Sequence, residues 1–202
     1  MEGAVPVGQI VVLNGAPRSG KSSIATAIQE RGSGVWMNVG VDVARAMTPP
    51  RYQPGIGLRP GEDKHSAAPA VPVLYAALYE SIAAHSRLGL NVVVDVGHHA
   101  GEILADCARR LAGLPVMFVG VLCPIEVIIE RRNGSTPGRY STVKDGEPIP
   151  LPILRWQQDV HSHGYDLEVD TAVASPDECA DAILRRLQSG LSPTAFQQLA
   201  AL

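Results

Sequence analysis

A surplus of positive charge is the first thing missing from this sequence. Its 17 lysines and arginines face 20 aspartates and glutamates, giving a formal net charge of −3. No broad basic field exists to attract nucleic acid or an anionic membrane, so neither is expected as a partner and binding must come from a local site. Cysteine is sparse as well. Cys107, Cys123 and Cys179 are odd in number and widely spaced, which argues against a disulfide framework and a zinc site and leaves buried or inert thiols. Long apolar runs are also absent: the opening MEGAVPVGQIVVLNG has no basic n-region, and its apolar run is soon broken by glycine. That is far short of a signal or spanning segment, so a cytoplasmic protein is expected. Aromatic residues make up only 4%. Tyr52, Tyr75 and Tyr79 are therefore among the few rings available to face an apolar group of a substrate, their alternative place at helical spacing being the core.

What is present is apolar material in short pieces. Hydrophobic residues are 46% of 202, enough for one sizeable core, and a single domain over the whole chain is expected. Nearly continuous apolar runs at Gln9 to Leu13, Val35 to Val39, Asn91 to Val94, Val116 to Leu122 and Leu167 to Val169 alternate with helix-period stretches. That alternation predicts an α/β fold, a three-layer α/β/α sandwich around a five-stranded parallel sheet. The helical stretches are SSIATAIQER, VARAM, PVLYAALYESIAAHSRLG, GEILADCARRLAG, PIEVIIERR and PDECADAILRRLQSG. The third is apolar enough for the core or for a dimer seam, so a homo-oligomer is an open expectation. Two proline- and glycine-rich segments interrupt the rhythm, Thr48 to Pro72 and Asn133 to Pro152. Loops of that length in a compact domain are usually binding loops or disordered; the first is expected at an acceptor site and the second as a lid. The tail LSPTAFQQLAAL is either a docked helix or a frayed end.

One stretch carries the chemistry. GAPRSGKS matches G-x-x-x-x-G-K-[ST] and sits between an apolar strand and a helix, the context the motif requires. Gly15, Ala16, Pro17, Arg18, Ser19, Gly20, Lys21, Ser22 and Ser23 are expected to bind a nucleotide. Glycines let the backbone approach phosphate, successive N–H groups point inward, and the helix N-terminus adds partial positive charge. Lys21 is expected at the β- and γ-phosphates and Ser22 as a ligand of Mg²⁺.

A phosphate loop alone fits a hydrolase, a kinase or a nucleotide-gated module. Two carboxylates bear on the choice. Asp42, after the second strand, and Asp95, at the carboxyl end of the third, should face the crevice where parallel sheets bind ligands. Asp95 is expected to hold Mg²⁺ through water, its alternative being a strand-end turn. Asp42 is expected to take the proton of a substrate hydroxyl, its alternative being an N-cap for VARAM. A pure switch needs no such acceptor-side base. Arg131, Arg132 and Arg139 are expected to bring positive charge to the transferring phosphoryl group, the first two competing with a plain helix C-terminal role. His98 either lines the acceptor pocket, with Tyr52 and Tyr79, or is a solvated loop residue.

Together these pieces resemble the chloramphenicol phosphotransferases. The matching segments are IVVLNGAPRSGKSSI, GVDVARAM, NVVVD, FVGVLCP and the late VHSHGYDLEVDT, in order over almost the whole chain. The resemblance implies a P-loop kinase fold, ATP as donor, Asp42 as acceptor-side base and lid arginines such as Arg131 and Arg139. It also implies a small-molecule alcohol as acceptor, an antibiotic whose inactivation confers resistance. The acceptor region departs from that pattern in its Pro-rich run, in GHH after Asp95 and in His161 and His163. A metabolite or nucleotide-sugar kinase, or a nucleotide-gated module without turnover, stays open beside it.

Overall fold

Alternation along the first strand accounts for the layering. In the computed structural model, which describes residues 6–53, 70–98, 101–134, 143, 147–190 and 193–201, strand β1 (Ile10–Asn14) is buried along its whole length. Successive strand side chains point to opposite faces. Ile10 and Val12 join a core with Val92, Val94 and Phe118, covered by helices α3 (Val71–Arg87), α4 (Gly101–Arg110) and α8 (Ala195–Ala200). Val11 and Leu13 join a second core with Val93, Met117 and Val119, closed by Ile24 and Ile28 of α1 (Lys21–Arg31) and Ile183 of α7 (Pro176–Gln188). Helices on both faces are what let the strands read as unbroken apolar runs.

The sheet runs in the order β2 (Trp36–Asn38), β3 (Asn91–Val96), β1, β4 (Val116–Leu122), β5 (Leu167–Asp170), every neighbouring pair parallel. The expected three-layer α/β sandwich with five parallel strands is present. All carboxyl ends therefore open on one rim, where α2 (Val41–Met47), α5 (Ile125–Asn133) and α6 (Leu151–Asp159) gather. Two details differ from expectation. β3 continues through Asp95 to Val96, so Asp95 is held in the strand. Helix α6 occupies a stretch whose onset was expected to be irregular because of its prolines. Its proline falls in the first turn, where the missing N–H has no helical partner to lose.

Both open questions about helices resolve toward the core. The apolar stripe of α3, Leu78, Tyr79, Ile82 and Ala83, is buried within the chain itself. The tail docks as α8, its Phe196 ring edge-on to Phe118 with centroids 5.1 Å apart. The Asp166 carboxylate fixes it there, accepting from Thr194 N at 2.7 Å and Ala195 N at 3.0 Å. The three cysteines are buried free thiols, and burial pushes the Cys107 thiol well up. Among the described residues no helix is long and apolar enough to cross a membrane.

Candidate active site

The turn between β1 and α1 is wound tightly. Gly20, just before the helix, has φ 98°, a left-handed conformation glycine adopts without cost. Arg18 has φ 76°, which for a residue with a side chain costs on the order of 1–3 kcal/mol and must be held by its surroundings. It is held across the loop. The Arg18 Nη2 donates to the Arg131 carbonyl at 2.7 Å, while Arg131 Nη1 lies 3.5 Å from the Arg18 carbonyl.

Lys21 opens α1 and is buried. Its Nζ donates to the carbonyls of Gly15 at 2.8 Å and Ala16 at 2.9 Å, and lies 3.8 Å from Asp95 Oδ1. Burial lowers its pKa from the usual lysine value, with Asp95 and then Asp42 pulling back toward the charged form. The next residue, Ser22, donates its hydroxyl to Asp95 Oδ2 at 2.5 Å. A hydroxyl and a carboxylate side by side form a hard oxygen donor pair, chemistry that suits Mg²⁺ beside phosphate.

These groups line one cavity of about 440 Å³. Its floor is the loop with Gly15, Pro17, Gly20, Lys21, Ser22 and Ser23; one side carries Arg18, Arg131 and Thr171. The lining also includes Val41, Asp42, Tyr75, Asp95, Val96 and Trp156. Asp42 is the second residue of α2, whose N-cap is Gly40, so the capping role does not apply. Arg131 is fixed on the rim: Nη1 donates to Thr171 Oγ1 at 3.0 Å and Nη2 to the Thr171 carbonyl at 2.7 Å.

Four residues expected here lie elsewhere. Tyr79 is wholly buried in the core between α3 and the sheet, which pushes its phenol pKa far up. His98 is 3% exposed; its ring Nε2 is 3.1 Å from the Tyr79 hydroxyl, and its backbone N donates to Asn14 Oδ1 at 2.7 Å. It is neither a pocket wall nor a solvated loop residue. Tyr52 sits in a short 3₁₀ turn, half exposed, with the Arg51 guanidinium 4.9 Å above its ring and outside the cavity. Arg132 points the other way from Arg131 on α5, buried among Ile128, Ile153 and Trp156 behind the loop. Ala16 and Ser19 belong to the loop but are buried beneath it. Arg139 and most of the expected lid lie outside the described residues, as does the middle of the segment from Thr48 to Pro72.

Among the cavity residues that escaped the sequence reading are Trp156 and Thr171. Trp156 comes from the unexpected helix α6, which is tied to the end of β4 by Gln157 Nε2 donating to the Cys123 carbonyl at 2.8 Å. Thr171 follows the carboxyl end of β5, the position that singled out Asp95 on β3.

A parallel sheet whose central strand runs through G-x-x-x-x-G-K-S into a helix, with acidic residues at the rim, defines the P-loop kinase fold. Solved structures agree with that fold. The APS kinase CysC of Mycobacterium tuberculosis, in complex with AMPPNP and APS, superposes with a TM-score of 0.62 at 20% identity, over 91% of this chain and 99% of that one. The Deinococcus radiodurans tunicamycin resistance protein gives 0.58 at 19%, over 92% and 97%. More particularly, the chain belongs to the chloramphenicol phosphotransferase-like family, whose model matches residues 8–188. A Mycobacterium tuberculosis protein named "Putative O-phosphotransferase" is 27% identical over 96% of this chain and 89% of its own length.

Proposed function

We propose that the protein transfers the γ-phosphoryl group of ATP to a hydroxyl of a small-molecule alcohol, an antibiotic of the chloramphenicol kind, with Mg²⁺ at Ser22 and Asp95. The observation that carries this is the single cavity holding Lys21, Asp95 and Asp42 together between the phosphate loop and the rings of Tyr75 and Trp156. Loop N–H groups, Lys21 and Arg131 bind the phosphates. Asp42 receives the hydroxyl proton as the acceptor oxygen bonds to the γ-phosphorus and the bond to the β-phosphate oxygen breaks, releasing ADP. A carboxylate is a weak base toward an alcohol, which suffices because this reaction depends mainly on positioning and charge stabilisation. Ser22 and Asp95 would hold Mg²⁺, which would supply charge neutralisation for the phosphates.

The acceptor class follows from the cavity lining. Among the described residues lining the cavity the cations are Arg18, Lys21 and Arg131, with Asp95 beside Lys21 and Ser22 at the loop, while the lining also includes one further carboxylate, Asp42, two rings and two valines. Two rings and two valines suit an uncharged, ring-bearing alcohol. Adding a phosphate to such a drug places charge and bulk where its target meets a hydroxyl.

The test is ADP release from Mg·ATP over a panel of hydroxyl-bearing antibiotics led by chloramphenicol, with mass spectrometry of each compound. Gain of one phosphoryl group by a neutral drug is expected. Turnover confined to anionic metabolites would overturn the antibiotic reading.

A further inference from the structure

The late segment VHSHGYDLEVDT is the motif the mechanism leaves unused, and the structure gives its two ends separate tasks. At its start, the Val160 carbonyl accepts from Asn14 Nδ2 at 2.9 Å and from the Tyr165 hydroxyl at 2.8 Å, fastening the base of the phosphate loop to the end of α6. At its end stands Thr171. Its hydroxyl donates to the Ser19 carbonyl at 2.7 Å and accepts from Arg131 Nη1 at 3.0 Å. One oxygen thus joins the phosphate loop to the rim arginine, beside the direct contacts between Arg18 and Arg131. The Thr171 carbonyl takes the second guanidinium nitrogen at 2.7 Å. The junction is close-packed: a Cβ on Gly20 would lie 3.3 Å from Thr171 Cγ2 and 3.6 Å from Arg131 Nη1.

A guanidinium carries five N–H donors in a fixed fork. With Nη1 shared among Thr171 Oγ1, the Cys123 sulfur at 3.4 Å and the Arg18 carbonyl at 3.5 Å, and one N–H of Nη2 given to the Thr171 carbonyl, its orientation is set before any phosphate arrives, and among the described residues no hydrogen bond engages Nε. A preorganised cation stabilises developing phosphoryl charge without reorganising at the moment of reaction. We propose that Thr171 is a positioning residue: its hydroxyl latches Arg131 to the phosphate loop so that the guanidinium meets the γ-phosphate in register with Lys21. The proposal rests on the kinase reading above, in which Arg131 serves the transferred group.

The latch predicts a specific loss, discrimination between nucleotides with and without a third phosphate. AMPPNP and ADP, each with Mg²⁺, would be titrated calorimetrically into the wild type, Thr171→Val, Thr171→Ser, Arg131→Ala and the Thr171→Val/Arg131→Ala double variant. Thermal unfolding of each variant checks that it is folded. The wild type is expected to prefer AMPPNP. Thr171→Val, equal in shape but without the hydroxyl, should lower that preference about tenfold, a coupling of ordinary size for contacting residues. Thr171→Ser should keep it, Arg131→Ala should lose it, and the double variant should be no worse than Arg131→Ala. A Thr171→Val protein with wild-type preference overturns the latch, and so does a double variant whose losses multiply. If neither the wild type nor Arg131→Ala distinguishes the two nucleotides, Arg131 does not serve the γ-phosphate and the latch falls with that assignment.

Discussion

Lys21 shows how one side chain is strained toward its task. It is buried against backbone carbonyls, and desolvation outweighs the help of Asp95 and Asp42, so its pKa stands below the usual 10.5. Phosphate brings negative charge and raises it again. A group whose pKa rises on binding gives full affinity below its pKa in the free protein, and affinity is lost as pH climbs through that value. The Kd for Mg·ATP, measured from neutral pH upward, should therefore begin to weaken before pH 10.5. An affinity flat to that pH would contradict the assignment. The lysine was legible in the sequence because its motif fixes loop, helix and charge together. Tyr79 and His98 were not legible. Each was near the right strand or helix, but Tyr75 and Tyr79 share one face of α3 a turn apart, so only position along the helix separates the cavity from the core, and no local pattern records that. Arg131 and Arg132 make the same point on α5, adjacent in sequence and facing the cavity and the back of the loop.

At the scale of elements, the strands were legible because burial on both faces leaves continuous apolar runs, and the helices because α3, α4 and α7 keep their stripes. Helix α6 was hidden by proline and glycine around it, though a proline in the first turn is compatible with a helix. Its cost was Trp156, a cavity wall. The late motif also reads clearly only in three dimensions. Tyr165 lies across β4 at Gly120, where a Cβ would come within 2.5 Å of the ring, and its hydroxyl, pushed up to about 12 by burial, meets Asn14 at 3.1 Å and His161 at 2.9 Å. Gly120 is the β4 partner of Asn14, the last residue before the loop. Gly120→Ala should cost roughly 1–3 kcal/mol of stability by displacing this ring. Chemical denaturation would measure it, and an unchanged midpoint would show that Tyr165 moves aside freely.

Across the whole molecule, topology does what no single segment can. Placing β1 centrally between β3 and β4 puts the phosphate loop beside Asp95 on one side and Arg131 with Thr171 on the other. β2 at the edge delivers α2, and with it Asp42, to the far wall of the cavity. The fold class and the order of the parts were present in the spacing of apolar runs; the meeting of a cation-rich loop with Asp42 and the rings of Tyr75 and Trp156 in one cavity emerged only from the sheet order.

The central claim is that one cavity holds nucleotide at the loop and presents an acceptor hydroxyl to Asp42. Its most direct test is phosphoryl transfer from Mg·ATP to chloramphenicol by wild type and Asp42→Asn, with AMPPNP affinity measured on the same preparations. The account predicts transfer by the wild type, nucleotide affinity within about twofold in the variant, and transfer slowed by roughly 10²–10⁴-fold, the usual contribution of a positioned base. Equal transfer rates, or a variant that no longer binds nucleotide, would contradict it.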